Sequence, residues 1–168
     1  RGGDWYDGGL WQDVFLHKWG TKNDLVKGSW DYLYRVIAQA NKSLDKLNEI
    51  LAKDPENTSV PKYISEVRAF RALYYYYLLD MFARVPLVTS STTAMADVEQ
   101  SERSVVFTFV KTELEESVAD LSDAHSNLPG EYYGRITKPV AYFLLAKLAL
   151  NAEIYTDDNW TDGSKPDG

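Results

Sequence analysis

Apolar residues recur at alternating spacings of three and four along four stretches of the chain, a pattern typical of amphipathic helices. The predicted helices cover residues 29–51, 61–83, 104–124 and 137–155. Asp24 or Ser29 can cap the first helix with a side-chain oxygen, and Thr137 can cap the fourth. The second helix is expected to end before Pro86, because proline disfavours helical backbone in the preceding residue.

A long polar stretch, residues 89–103, separates the first two helices from the second two. Two helical pairs predict an all-α fold of stacked antiparallel helical hairpins, similar to tetratricopeptide repeats but with a longer unit. An unrelated four-helix bundle fits the same periodicity. The best strand signal, residues 86–88, is too short to seed a sheet. We divide the chain into an irregular aromatic-rich N-terminal loop, a first helix pair, a loop, a second helix pair and a polar tail, which cover residues 1–28, 29–83, 84–103, 104–155 and 156–168.

Charge and composition narrow the function classes. The chain has 25 acidic and 18 basic residues, and its net charge of −7 repels phosphate backbones, which argues against general nucleic-acid binding. The longest apolar run has eight residues, and a bilayer span needs about 18, so no stretch is predicted to cross a membrane. Cysteine is absent, so disulfides and a thiol nucleophile are excluded for this stretch of chain. Because the chain starts at Arg1 and ends in a polar run, we expect a piece of a longer protein.

Residues suited to catalysis or metal binding are few. His17 and His125 have no serine, aspartate or second histidine at a known triad or ligand spacing. Asp4 and Asp7 can be read as a carboxylate pair for glycoside cleavage, although aspartates in a glycine-rich loop are more often turn formers. The acidic run 157–163 matches a calcium loop poorly, because a tryptophan occupies a ligand position, and a solvated loop is favoured. We predict no catalytic residue, no metal site and no cofactor.

The aromatic residues fall into two groups. Residues 74–77 are four consecutive tyrosines on the second predicted helix, and at least two of them are expected in the core. The other group is interleaved with glycine and aspartate before the first helix: Trp5, Tyr6, Trp11, Phe15 and Trp19. The last three are spaced by four, and packing onto the helices is favoured for Phe15 and Trp19.

The beginning of the chain has the side chains that a sugar would need. A sugar ring has flat faces of C–H groups and a rim of hydroxyls, so it suits an aromatic ring flanked by carboxylates, amides and arginine. That set is present in Arg1, Asp4, Trp5, Tyr6 and Asp7. From the residues alone, both packing and sugar binding stay open for Trp5 and Tyr6.

Several sequence blocks, in their order along the chain, resemble one protein family. They are RGGDWYDGG followed by Trp11 and HKW, Trp30 with Tyr34 and Asn41, EVRAFRA before the four tyrosines, VPL at 85–87, and GRITK at 134–138 with Ala141 and Leu145. Together these blocks resemble the SusD/RagB family of glycan-binding outer-membrane lipoproteins from Bacteroidetes-type bacteria. One departure is Ala83, because the family usually has glycine there, which would take a left-handed helix cap without steric cost.

The resemblance implies the N-terminal portion of a right-handed stack of helical hairpins. It implies a protein that is not an enzyme, that holds an oligosaccharide or polysaccharide at the cell surface and that caps a SusC-type TonB-dependent transporter. The expected location is the outer face of the outer membrane, with a lipid-bearing cysteine upstream of Arg1 as the membrane anchor. The glycan-contact region falls on Trp5 with Tyr6 and Asp7 beside it, and on Trp11, while other contacts would come from beyond Gly168.

Two further function classes remain as alternatives, and two arginines have predicted structural roles. The chain could be a helical-repeat scaffold that binds another protein and no sugar, or a glycosidase that uses Asp4 and Asp7. Arg71 has apolar neighbours in the sequence and would need a carboxylate or carbonyl partner if it is buried. Arg135 is expected to anchor the turn before the fourth helix.

Overall fold

The computed structural model describes residues 7–159, and helices are its main elements. In chain order the elements are α1 (Leu10–Phe15), α2 (Asp24–Lys53), α3 (Val60–Phe82), β1 (Val85–Pro86), β2 (Gln100–Ser101), α4 (Arg103–Ser117), α5 (Lys138–Leu150) and α6 (Ala152–Tyr155). Short 3-10 turns occupy Met95–Asp97 and Val118–Asp120. The predicted all-α class is confirmed.

The four long helices pack as two consecutive hairpins. Helix α3 lies between α2 and α4, and α5 packs against α4. Their shared core is apolar, and its fully buried members include Ile37, Ala69, Leu78, Val106, Val110, Leu114 and Leu148. The stacked hairpins that the sequence predicts are therefore present. Among the described residues, no helix is both long enough and apolar enough to cross a membrane.

Helix α2 begins at Asp24, earlier than the predicted start near residue 29. The Asn23 side chain accepts hydrogen bonds from the backbone N–H groups of Leu25 at 3.0 Å and Val26 at 3.2 Å. Asn23 is therefore the cap, and the assignment of Asp24 or Ser29 to that role is wrong. Ser29 lies inside the helix, where its hydroxyl donates to the carbonyl of Leu25 at 2.8 Å.

The second hairpin contains two helix ends that periodicity does not predict. Helix α4 ends at Ser117, whereas the apolar pattern continues to residue 124. Leu121 follows the pattern, but it has extended backbone (φ −72°, ψ 150°) and is buried, so it reaches the core from outside the helix. Asn151 separates α5 from α6, and its side chain donates to the carbonyl of Lys147 at 2.9 Å. Such side-chain bonds to the backbone compete with helix continuation.

The polar stretch between the hairpins contributes to a small sheet. Strands β1 and β2 are antiparallel, with Val85 opposite Ser101 and Pro86 opposite Gln100. The expectation that this region seeds no sheet is therefore wrong, because the partner strand comes from the far end of the polar stretch. Val85 is fully buried, and the side-chain amide of Gln100 donates to the carbonyl of Arg84 at 2.9 Å.

Two of the four consecutive tyrosines belong to the core, as predicted. Tyr75 and Tyr76 are buried, while Tyr77 is exposed. The Tyr75 hydroxyl donates to the carbonyl of Val88 at 3.0 Å and accepts from the N–H of the same residue at 2.8 Å. Burial raises the pKa of Tyr75 to about 12.

Helix α3 ends on a residue with unfavourable backbone geometry. Ala83 has φ 61° and ψ −82°, a region in which the Cβ atom is strained and glycine is not. Its N–H still bonds to the carbonyl of Leu79 at 3.0 Å, and β1 begins two residues later at Val85. The sequence departure at this position therefore places alanine where the backbone favours glycine.

Candidate functional site

The predicted sugar-contact residues divide into two sets. Arg1, Asp4, Trp5 and Tyr6 lie outside the described residues. Asp7 and Trp11 lie inside them and are in contact with each other, because the indole N–H of Trp11 donates to a carboxylate oxygen of Asp7 at 3.1 Å. The sugar-binding role of all six stays a prediction, and its structural support comes from these last two.

Asp7 and Trp11 belong to a segment that turns and then forms the short helix α1. Asp7 has φ 40°, and the glycines that follow it also have positive φ, so the backbone reverses before α1 begins. Helix α1 buries none of its residues. The indole of Trp11 is 42% exposed while its N–H is held by Asp7. The ring therefore has a fixed polar edge and surface that a ligand can contact.

A polar pocket has Asp7 in its wall, and Trp11 is not part of its lining. It has a volume of about 390 Å³, and we call it the N-terminal pocket. Its wall combines carboxylates, amines and one indole: Asp7, Asp13, Asp24, Lys18, Lys22 and Trp19. Carboxylates accept hydrogen bonds from hydroxyls and ammonium groups donate to them, so this lining can bind a polyhydroxylated molecule. Asp13 and Lys22 have no sequence signal for this role, because exposed charges near a helix end are common.

Of the two residues predicted to pack onto the helices, Phe15 does not and Trp19 does in part. Phe15 is 82% exposed, so the prediction that it packs onto the helices is wrong. The reason is that α1 has only six residues and contributes nothing buried. Trp19 is partly exposed, contacts the His17 ring at a centroid distance of 5.0 Å, and lines an apolar groove with Met81 and Phe82. It therefore both packs against the end of α3 and borders the N-terminal pocket.

Residues considered for metal binding have other roles in the described part of the chain. Residues 7–159 contain no group of three side chains suited to holding a metal ion. Asp158, from the acidic run, accepts a hydrogen bond from the backbone N–H of Ser104 at 2.9 Å. Ser104 lies in the first turn of α4, so this carboxylate caps that helix from a distant part of the chain.

Arg71 is buried with several polar partners, as the sequence analysis required. It is 6% exposed, and its guanidinium lies 2.6 Å from a carboxylate oxygen of Glu113. It also donates to the side-chain oxygen of Asn41 at 2.8 Å and to the carbonyl of Thr89 at 3.0 Å. Arg68 donates to the other oxygen of the Glu113 carboxylate at 2.7 Å. This cluster joins α2, α3, α4 and the loop after β1, so its role is structural.

Comparisons with known proteins agree with one another. A family model, SusD-like, described as "Starch-binding associating with outer membrane", matches residues 4–150. The starch-binding protein SusD of Bacteroides thetaiotaomicron is 30% identical over 92 residues, which are 55% of this chain and 16% of that protein. A SusD-like protein of Bacteroides ovatus is 24% identical over 144 residues, 84% of this chain and 24% of that one. The chain therefore spans a quarter or less of these curated relatives.

A solved structure of a laminarin-binding SusD-like protein has the same fold in the matched region. It is 30% identical and superposes with a TM-score of 0.63. The match covers 76% of this chain and 27% of that one. Both the sequence and the helical arrangement are therefore similar to the same group of proteins.

Proposed function

Because this chain belongs to the SusD-like family, we propose that the protein captures a glycan at the outer-membrane surface without catalysis. The observation that carries this proposal is the family match across residues 4–150, which includes the segment with the partly exposed indole of Trp11. In this proposal Trp11 offers a ring face to a sugar, and Asp7 orients the indole. Arg1, Asp4, Trp5 and Tyr6 complete the contact region.

The proposed ligand is a neutral polysaccharide. The names of two matched proteins give starch and laminarin as what they bind, and both are uncharged glucans. The charge of this chain supports the same class, because a net charge of −7 disfavours an anionic polymer. The N-terminal pocket has both donors and acceptors for hydroxyl groups.

The Asp7 carboxylate fits a positioning role, because one of its oxygens accepts the indole N–H of Trp11. A glycosidase would need this carboxylate as acid, base or nucleophile, with a second one about 5 to 10 Å away. The non-catalytic role is supported by the family model, whose description names binding. We propose that the bound glycan passes to a SusC-type TonB-dependent transporter, and that a lipid anchor upstream of Arg1 holds the protein on the outer face of the membrane.

Isothermal titration of the intact protein against starch, laminarin and the anionic polymer polygalacturonate tests the ligand assignment. We expect binding to a neutral polymer and none to polygalacturonate. Trp11→Ala and Trp5→Ala should each weaken that binding about tenfold, which corresponds to about 1.4 kcal/mol. Tyr133→Ala is the matched control, because Tyr133 is an exposed aromatic residue that is not among the proposed sugar contacts.

Two results would contradict this assignment. If none of the polysaccharides binds, the protein is better described as a helical scaffold for another protein. If both tryptophan variants bind as tightly as the unmodified protein, the contact region is wrong.

The other two parts of the proposal have their own tests. Release of reducing ends from the bound polymer would contradict the non-catalytic role. Failure to co-purify a TonB-dependent transporter from outer membranes would contradict the delivery step.

A further inference from the structure

A second cavity lies at the junction of α3 with the segment that connects α4 to α5. It has a volume of about 520 Å³, larger than the N-terminal pocket, and the two share no lining residue. We call it the Arg135 cleft. Its wall includes Tyr63, Glu66, Asp123, Glu131, Tyr132 and Arg135. Cavities of this size are typical of small-molecule sites, so its chemistry is informative.

The centre of the Arg135 cleft is an ion pair stacked on an aromatic ring. The guanidinium of Arg135 donates to both oxygens of the Glu66 carboxylate, at 2.7 Å and 3.3 Å. The same guanidinium lies 4.8 Å from the centroid of the Tyr132 ring. The hydrogen bonds that the Glu66 carboxylate accepts from Arg135 raise the pKa of Arg135, so the guanidinium stays charged. Arg135, which the sequence analysis assigned to a turn, therefore also joins that turn to α3.

The outer wall of the cleft is held in place by backbone hydrogen bonds. The N–H of Gly134 donates to the carbonyl of Ser126 at 2.8 Å, and the N–H of Lys138 donates to the carbonyl of Ser122 at 2.9 Å. Gly134 has φ 74°, which allows the tight turn that carries Tyr132 and Arg135 back toward α3. A wall fixed in this way loses little conformational freedom when a ligand binds.

The charges of the Arg135 cleft disfavour an anionic ligand. Its lining has two cations and four carboxylates: Lys62 and Arg135, and Glu66, Asp120, Asp123 and Glu131. The net charge of this wall is negative, so phosphate and other anions are disfavoured. Carboxylate oxygens that remain accessible accept hydrogen bonds from hydroxyls. Tyr63 is half exposed on the α3 side and adds a second ring to that of Tyr132.

We propose that the Arg135 cleft is a second binding site for a neutral oligosaccharide. Two tyrosine rings would contact the C–H faces of a sugar, while the paired Arg135 and Glu66 present a donor and an acceptor to neighbouring hydroxyls. The choice of ligand class rests on the proposed function, but the site is separate from the N-terminal pocket. Two separate sites on one protein would bind a long polymer more tightly than either site alone, through effective concentration.

The experiment uses the intact protein and short neutral oligosaccharides, maltohexaose and laminarihexaose, which are fragments of starch and laminarin. Binding is measured by isothermal titration for Tyr132→Ala, Tyr63→Ala and Trp11→Ala. We expect Trp11→Ala to leave one class of site, and Tyr132→Ala in that background to weaken the remaining binding at least tenfold. Tyr133→Ala is the control, because Tyr133 is 67% exposed beside Tyr132 but does not line the cleft.

The outcomes separate this inference from the proposed function. If Tyr132→Ala and Tyr63→Ala both bind like the Tyr133→Ala control, the cleft is not a sugar site, whatever Trp11→Ala does. If only the two cleft variants lose binding, the cleft stands and the contact region around Trp11 is wrong. If neither hexasaccharide binds the unmodified protein, both are overturned. Tyr63 lies on α3 and Tyr132 on the connecting segment, so a folding defect in one variant, detected by thermal unfolding, leaves the other as the test.

Discussion

The cluster around Arg71 and the segment around Trp11 place hydrogen-bonded side chains in opposite environments, one buried and one exposed. Arg71 is buried, and four hydrogen bonds to Glu113, Asn41 and Thr89 satisfy its guanidinium. Trp11 lies on a helix that buries nothing. Removing a partner of Arg71 leaves an unpaired charge inside the protein, which lowers stability strongly. Removing an exposed side chain such as Trp11 leaves a position that water fills, with little effect on stability.

The difference gives a physical criterion for separating structure from function in this chain. A polar or aromatic side chain whose groups are buried and fully paired has no capacity left for a ligand. A side chain with one edge fixed and its face exposed has that capacity. By this criterion Tyr75, which is buried with its hydroxyl paired, belongs with Arg71.

The largest expected effect is in the Arg71 cluster. Glu113→Gln removes the charge that faces both Arg68 and Arg71, so the free energy of unfolding should fall by about 3 kcal/mol. Glu115→Gln is the control on the same helix, because its ion pair with Lys111 is exposed and should contribute less than about 0.5 kcal/mol. Denaturant unfolding of the intact protein measures both. Equal effects of the two variants would contradict the comparison.

A smaller effect is expected from the buried hydroxyl of Tyr75 at alkaline pH. Burial raises its pKa from the ordinary value near 10 to about 12. A group whose pKa is higher in the folded state stabilises the protein below pH 10, and that contribution is lost as the pH rises from 10 to 12. The loss should be of order 2 kcal/mol. In Tyr75→Phe, unfolding should depend less steeply on pH over this range, and an unchanged slope would show that this hydroxyl is not buried.

The smallest effect concerns backbone strain at the end of α3 and in the N-terminal segment. Ala83→Gly should raise the free energy of unfolding by about 0.5 to 1 kcal/mol, because relief of strain at φ 61° exceeds the entropy that glycine adds to the unfolded chain. His17 in the N-terminal segment has φ 55°, but histidine tolerates this region better than alanine. His17→Gly should therefore give no gain. Thermal unfolding measures both variants, and a loss of stability in Ala83→Gly would contradict the strain.

Periodicity predicted the helices because each has a buried face, and charge logic predicted the partners of Arg71. The sequence pattern did not identify Asn23 as the N-cap of α2, since any of several polar residues near residue 24 could cap the helix. It also extended α4 too far, because Leu121 is apolar at the helical spacing and reaches the core from extended backbone. Local patterns report that a residue is buried, and they do not report the backbone that brings it there.

The candidate sites were only partly visible in the sequence. Asp7 and Trp11 are four residues apart, so their contact is local and could be suspected. The Arg135 cleft joins residues that are far apart along the chain, such as Glu66 and Arg135, and single-sequence reasoning has no signal for such a pair. The β1–β2 pairing was missed for the same reason.

The hydrogen bonds that hold the chain just after β1 have a consequence for the length of the loop that follows. The carbonyls of Val88 and Thr89 accept hydrogen bonds from Asn41, Tyr75 and Arg71, and β2 pairs with β1 at residues 100–101. Both ends of the intervening loop are thus tethered independently of its length. Insertions or deletions between these tethers would cost little beyond loop-closure entropy, so related proteins can diverge in size there while their helical stack stays in register.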